Sequence, residues 1–211
     1  MKTTSGKCFR PGPFLLIVFF WLTCFCFPAV TQDKKMPSRR FFIGAAAGYY
    51  YPQHEPFRRI YDQAIWPVEL QLDWDIFRNV TVFGAARYLE TSGNTVSLFP
   101  QLPAETFALN WRMTTLRLGM NYRTGRSRFT PFVGLGGSFS FYREQWRDFS
   151  LSKEDQKPGL FFQAGGRYRL HRCWQALVQI DYSLVPAGSG PRGKVDLGGV
   201  SLFLGVMAGI F

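Results

Sequence analysis

The stretch Val68 to Ile76 alternates without interruption: Val68, Leu70, Leu72, Trp74 and Ile76 are separated by Glu69, Gln71, Asp73 and Asp75. Successive side chains of a β-strand point to opposite faces, so an extended chain collects these residues into one apolar and one acidic face. A helix would scatter them around its circumference. Two environments satisfy such a ribbon. Either the apolar face meets a protein core and the acidic face water, or the apolar face meets lipid and the acidic face an enclosed lumen.

The same two-residue rhythm recurs along most of the chain. A Phe77-Arg78-Asn79 turn joins this strand to one over 80–90. Residues opposite each other across a hairpin share a face, so pairing Ile76 with Val80 sets Asp75 against Thr81, Asp73 against Phe83 and Glu69 against Arg87. Further strands are predicted over 41–50, 111–123, 130–142, 160–170 and 175–185, with a last strand from Val195 to Phe211. With 65–76 and 80–90 these make eight. In the fourth, Leu116, Leu118, Met120 and Tyr122 oppose Arg117, Gly119, Asn121 and Arg123. In the fifth, Val133, Leu135, Phe139 and Phe141 oppose Gly134, Gly136, Ser138 and Ser140. Gln163, Gly165, Arg167 and Arg169 share one face of the sixth. In the seventh, Ala176, Val178, Ile180, Tyr182 and Leu184 oppose Gln175, Gln179 and Asp181. The residues of the last strand leave its facing open.

Long loops at 51–64, 91–110, 143–159 and 186–194 alternate with tight turns at 77–79, 124–128 and 171–174. An even strand count, strands of about 10 residues and loops sorted by length between two ends form the pattern of a transmembrane β-barrel. The rival is a soluble eight-stranded barrel that holds an apolar ligand. Its wet exterior would use lysine freely, yet beyond residue 32 lysine occurs only at 34, 35, 153, 157 and 194, all outside these strands. The polar faces carry arginine instead, whose planar guanidinium suits enclosed ion-pair networks. A lumen network of Glu69, Asp73, Asp75, Arg87, Arg117, Arg123, Arg167, Arg169 and Asp181 is therefore expected, with Gly134, Gly136 and Gly165 leaving it room. The lipid-facing set is Leu70, Leu72, Trp74, Leu116, Leu118, Val133, Leu135, Val178 and Ile180. Trp74, Tyr88, Trp111, Tyr122, Tyr168 and Tyr182 are expected as girdle aromatics near the strand ends.

The N-terminal region fits an exported protein. Lys2, Lys7 and Arg10 precede the apolar run Pro13 to Phe27, which is shorter than the about 20 residues a spanning helix needs. Residues 1–32 read as a signal peptide, with cleavage near Ala29 to Gln32; an uncleaved anchor is the alternative. Residues 33–40 form a polar lead-in, and 41–211 the barrel. Cys8, Cys24 and Cys26 fall inside the signal, leaving Cys173 without a cysteine partner and no cysteine-based metal site. Of 25 basic residues, 22 lie beyond Lys2, Lys7 and Arg10, against 14 acidic ones. In an exported chain that excess points to anionic lipid head groups rather than nucleic acid.

Strand five (TPFVGLGGSFSF), strand six with its turn (FFQAGGRYRLHRCW) and a final strand ending in Phe211 resemble the OmpA/OmpX-type small outer-membrane β-barrels. The resemblance covers Phe41 to Phe211. It implies a monomeric, all-β, eight-stranded antiparallel up-and-down barrel in the bacterial outer membrane, with both chain ends in the periplasm. Phe211 is similar to the C-terminal aromatic read by the barrel-assembly machinery. The usual aromatic two residues further in is absent; Gly209, Met207 and Gly205 occupy that alternate set. Implied partners are outer-membrane lipids, lipopolysaccharide as a candidate, and that machinery.

Some small barrels act enzymatically on lipids through a serine, a histidine and a carboxylate. Here His54 lies in the first long loop and His171 in a tight turn, neither beside a serine, so no catalytic set, cofactor or metal site is expected. Arg58, Arg59, Arg143, Arg147 and Arg192 lie in or beside the long loops, where solvated charge is preferred over lipopolysaccharide contact. Trp146 and Phe149 are candidates for an adhesive third loop. The expected role is structural or surface interaction, because an eight-stranded barrel is just wide enough to be filled by side chains. A narrow pore for small or apolar solutes is the alternative, and a lipid-modifying enzyme the third reading.

Overall fold

The computed structural model describes residues 41–61, 64–96, 106–125, 127–146, 151–171, 173–185, 188–190, 193–195 and 197–210. The expected signal peptide and lead-in lie outside them, as do Arg147, Phe149, Arg192 and Phe211. Chain order is β1 (Phe41–Pro52), α1 (Glu55–Ile60), β2 (Val68–Asp75), β3 (Val80–Val96), β4 (Thr106–Arg123), β5 (Phe129–Trp146), β6 (Leu151–Arg169), β7 (Trp174–Leu184), β8 (Gly188–Gly190), β9 (Gly193–Val195) and β10 (Gly199–Gly209). β1 to β7 and β10 pair antiparallel with their neighbours, and β1 meets both β2 and β10, so the sheet closes into an eight-stranded barrel. β8 and β9 form a separate two-stranded ribbon that occupies the expected last loop and takes in Val195, so the last barrel strand begins at Gly199 rather than at Val195.

The first hairpin has the expected register: Glu69 is opposite Arg87, Asp73 opposite Phe83 and Asp75 opposite Thr81. Within the barrel wall the alternation sorts residues by face. Leu70, Leu72, Trp74, Leu116, Leu118, Val133, Leu135, Val178 and Ile180 lie on the outside, 48–66% exposed. The facing of the last strand is now defined. Val200, Leu202, Leu204 and Val206 are exposed, while Ser201, Phe203 and Met207 are buried.

Several expectations are corrected. Much of the second and third long loops is strand: β3 runs on to Val96, β4 begins at Thr106, β5 ends at Trp146 and β6 begins at Leu151. These extensions pair only among β3, β4, β5 and β6, so one side of the wall is taller than the other. Lysine is accordingly not confined to loops: Lys153 and Lys157 lie within β6, though beyond its pairing with β7. There β6 is an edge, where lysine and a strand proline such as Pro158 are tolerated and discourage further strand addition. The first long loop, finally, contains α1, started by Pro56 in the first turn.

Trp111 was expected on the lipid-facing wall and is instead 3% exposed inside. The parity that sends Arg117 inward also sends 115, 113 and 111 inward, so the correction follows from the strand period itself. Trp146 is likewise partly buried against the interior rather than displayed.

Candidate functional site

The barrel's distinctive chemistry is in its lumen. β2 supplies Glu69, β3 Arg87, β4 Arg117 and β7 Asp181, all at most 5% exposed. Arg87 donates through Nε and Nη2 to Glu69 Oε2 at 2.9 and 2.8 Å, through Nη2 to Asp181 Oδ1 at 2.6 Å, and through Nη1 to Ser201 Oγ at 3.2 Å. Arg117 Nη1 donates to the same Glu69 oxygen at 2.8 Å and lies 3.3 Å from Asp181 Oδ1. Two guanidinium groups and two carboxylates therefore cross-link four strands with no net charge. Buried charges persist only when paired and hydrogen-bonded in this way. Gln163 extends the layer, accepting from Arg117 Nη2 at 3.2 Å and donating to Asn121 Oδ1 at 2.7 Å.

Towards the tight turns the ion pairs become simple. Asp73 accepts from Arg167 and from Gln71 Nε2. Asp75 pairs with Arg123 at 2.7 Å and accepts from Thr81 Oγ1 at 2.9 Å, with the Asp75 and Arg123 side chains half-buried. Of the nine residues expected in the network, eight are brought into ion pairs. Arg169 is half-buried at the rim with no ion pair among the described residues.

Aromatic rings inside the barrel are what the sequence reading missed. The Arg117 guanidinium lies 3.9 Å from the Phe161 ring centre, that of Arg87 4.4 Å from Phe203, and that of Arg167 5.4 Å from Phe132. Each charged head is thus stacked as well as paired. Of the lumen glycines, Gly136 and Gly165 make room for these rings and Gly134 for the Asn121 amide, rather than for the arginines. A Cβ on Gly136 would stand 2.6 Å from Phe161, one on Gly165 2.7 Å from Phe132, and one on Gly134 2.0 Å from the Asn121 amide oxygen. The inward parity of 161 and 203 was available in their strands, but phenylalanine on a polar face carries no signal of its own.

At the long-loop end the lumen is closed differently. Tyr50, Phe57, Tyr61, Ile65, Leu89, Leu109, Trp111, Met113, Val185 and Leu197 form one buried apolar cluster. α1 presses Phe57 into it, with ring centres 4.8 Å from Trp111 and 4.5 Å from Tyr61. Tyr50 Oη donates to the Leu197 carbonyl at 2.7 Å, tying the opposite loop to the mouth. Gly93 of β3 lets α1 approach: a Cβ there would lie 2.2 Å from the Ile60 carbonyl oxygen.

Beyond the mouth, the outer faces of β3 to β6 carry charge in pairs, Glu90 with Arg112 and Arg143 with Glu154. They border a recess of about 590 Å3 lined by Tyr88, Arg112, Thr114, Phe141, Arg143 and Glu154, among others. Nearby, the Gln156 amide and the Tyr142 hydroxyl hold the Asp155 carboxyl below its ordinary value. Arg58 donates to Tyr51 Oη at 2.6 Å and Arg59 pairs with Glu55 at 2.7 Å. His54 Nδ1 is buried without a hydrogen-bond partner, and His171 is an exposed turn residue. Among the described residues, no three His, Cys, Asp or Glu side chains are grouped to hold a metal.

A closed eight-stranded barrel with an apolar outer wall and a polar, charge-paired lumen is a transmembrane β-barrel of the outer-membrane type. Solved structures share this fold. The outer membrane protein OprG from Pseudomonas aeruginosa is similar at 13% identity, over 84% of this chain and 98% of that one, with a TM-score of 0.63. Neisserial surface protein A is similar at 13% identity over 81% and 97%, with a TM-score of 0.55. A major outer membrane protein from Thermus thermophilus is similar at 11% identity over 80% and 98%, with a TM-score of 0.54. No family model and no curated protein sequence matches the chain. The shared fold is that of small outer-membrane β-barrels.

Proposed function

We propose that the protein is a sealed, non-enzymatic barrel of the bacterial outer membrane that acts through the surface it raises beyond the bilayer. The observation that carries this reading is the double closure of the lumen. The Glu69–Arg87–Arg117–Asp181 layer spans it, and the apolar cluster under α1 fills its outer mouth. A hydrated path would have to break both a neutral ion-pair lattice and a dry aromatic contact. The tall β3–β6 side supplies the surface, with paired charges above the exposed Tyr88 and Phe141 and a recess large enough for a small polar group. A lipid-modifying activity would need a histidine held against a nucleophile; among the described residues His54 Nδ1 has no hydrogen-bond partner and His171 is an exposed turn residue.

Conductance decides between the sealed barrel and the narrow pore. Purified protein in planar bilayers is expected to give no steady openings. Steady openings in the native protein that vanish on Glu69→Gln or Arg117→Gln would replace this reading with a selective pore.

A further inference from the structure

The two ends of the barrel differ in how their charges are balanced. At the long-loop end, Arg59, Arg112, Arg143 and Lys157 each stand beside a carboxylate: Glu55, Glu90, Glu154 and Asp155. At the tight-turn end the sequence has no acidic residue in 76–79, 122–130 or 168–174, while those segments hold Arg78, Arg123, Arg126, Arg128, Arg169 and Arg172. Arg123 is neutralised by Asp75. Arg78 and Arg128 are exposed, and neither has an ion-pair partner among the described residues; Arg169, on the lumen-facing parity of β6, is half-buried.

These free cations sit at the level where the apolar wall ends. Trp74, stacked on Phe41, Tyr122, Tyr168 and Trp174 ring the wall there, 39–51% exposed. The Arg128 guanidinium lies 5.0 Å from the Tyr168 ring centre, on the outer side of the wall rather than in the lumen. Aromatic rings of this kind settle at the level of lipid head groups. A cation held on such a ring is therefore at the height of the phosphate esters, and it has no carboxylate to satisfy it.

From this juxtaposition we infer that the tight-turn rim binds the phosphate head groups of anionic phospholipid in the leaflet it faces, the periplasmic one. The inference rests on the membrane-spanning reading, in which short turns are periplasmic. Arg78 and Arg128 are the binding residues, one from each of the first two tight turns. Binding is electrostatic and must weaken with salt.

The full chain, folded into phosphatidylcholine vesicles containing a minority of phosphatidylglycerol, tests this. Tryptophan quenching by brominated phosphatidylglycerol is compared with quenching by brominated phosphatidylcholine. Trp74 and Trp174 stand at the rim to report it. Anionic lipid should be enriched at the wall about three- to tenfold over its bulk share. The double variant Arg78→Gln, Arg128→Gln should bring that ratio to about one. Raising salt to about 1 M, where the screening length is about 3 Å, should do the same to the native protein. Arg112→Gln with Arg143→Gln should leave it unchanged. Heat-dependent gel mobility establishes that every variant is folded. Equal quenching by both lipids in the native protein, or enrichment that survives the double variant, overturns the rim. So does tighter, rim-dependent binding of soluble peptidoglycan fragments, which would assign these arginines to the cell wall. If the native protein enters neither vesicle, the membrane-spanning reading itself has failed, and the rim with it.

Discussion

Glu69 accepts three charged hydrogen bonds on one carboxylate oxygen, two from Arg87 and one from Arg117. Replacing it by glutamine leaves two buried guanidinium groups facing the single charge of Asp181. Breaking a buried pair by removing one partner costs about 3–5 kcal/mol, so Glu69→Gln should lower the urea midpoint of the lipid-folded barrel strongly. Arg112→Gln, which breaks an exposed pair with Glu90, should leave the midpoint nearly in place. A midpoint equally indifferent to both would show that the lumen layer is not under load. A second test concerns Tyr142. Its hydroxyl bond helps keep Asp155 ionised, so Tyr142→Phe should raise the Asp155 pKa towards its ordinary value, read from the carboxyl carbon in an NMR titration. The sign follows from the direction: a depressed carboxyl pKa contributes stability above its unfolded value and loses it as pH falls through the folded one. A titration unmoved by the substitution would assign the depression to the Gln156 amide and the nearby Lys157 and Lys153 charges. The Glu69–Arg87 pair was legible in the sequence because hairpin register sets neighbours in adjacent strands. The joining of Arg117 and Asp181 was not, since alternation tells which face a residue takes but not which residues meet across a lumen.

A β-strand has only two faces, so a single substitution on each side of β2 tests the orientation of the wall. Leu72→Arg places a charge on the exterior, at a cost of ~2–4 kcal/mol if it falls at the bilayer midplane, and should impair assembly. Gln71→Leu, on the buried face, should assemble, losing only the amide bond to Asp73. The opposite pair of outcomes in a folding assay would reverse the faces. Gly93→Val tests α1 separately. It should displace the helix from the mouth while leaving the barrel folded, visible as changed Trp111 fluorescence without loss of heat-dependent mobility. Unchanged fluorescence would mean that α1 does not depend on that approach. The strand extensions resemble loops in the sequence for a physical reason. Their charges, glycine and Pro158 are loop-like residues, yet β6 carries them on an open edge above the membrane, where water and the missing second neighbour make them acceptable.

At the scale of the molecule, the loop rhythm was enough to count eight strands and to predict closure, because only a closed sheet leaves no unpaired strand edge in lipid. The barrel should accordingly migrate differently on gels before and after boiling. Identical mobility, together with solubility in buffer without detergent, would restore the soluble rival. The sealed mouth was less legible, since Phe57 and Tyr61 lie in a proline-containing loop whose helix is too short to announce itself by periodicity.

The uneven height of the wall makes this a molecule with a front and a back. A second molecule drifting along the membrane plane towards β3–β6 would meet an upright, patterned sheet. From the side of β1, β2, β7 and β10 it would meet a low sill and the cover of the mouth. Contacts made by such a protein are therefore directional within the plane, and two copies turned differently would present different surfaces to the same neighbour.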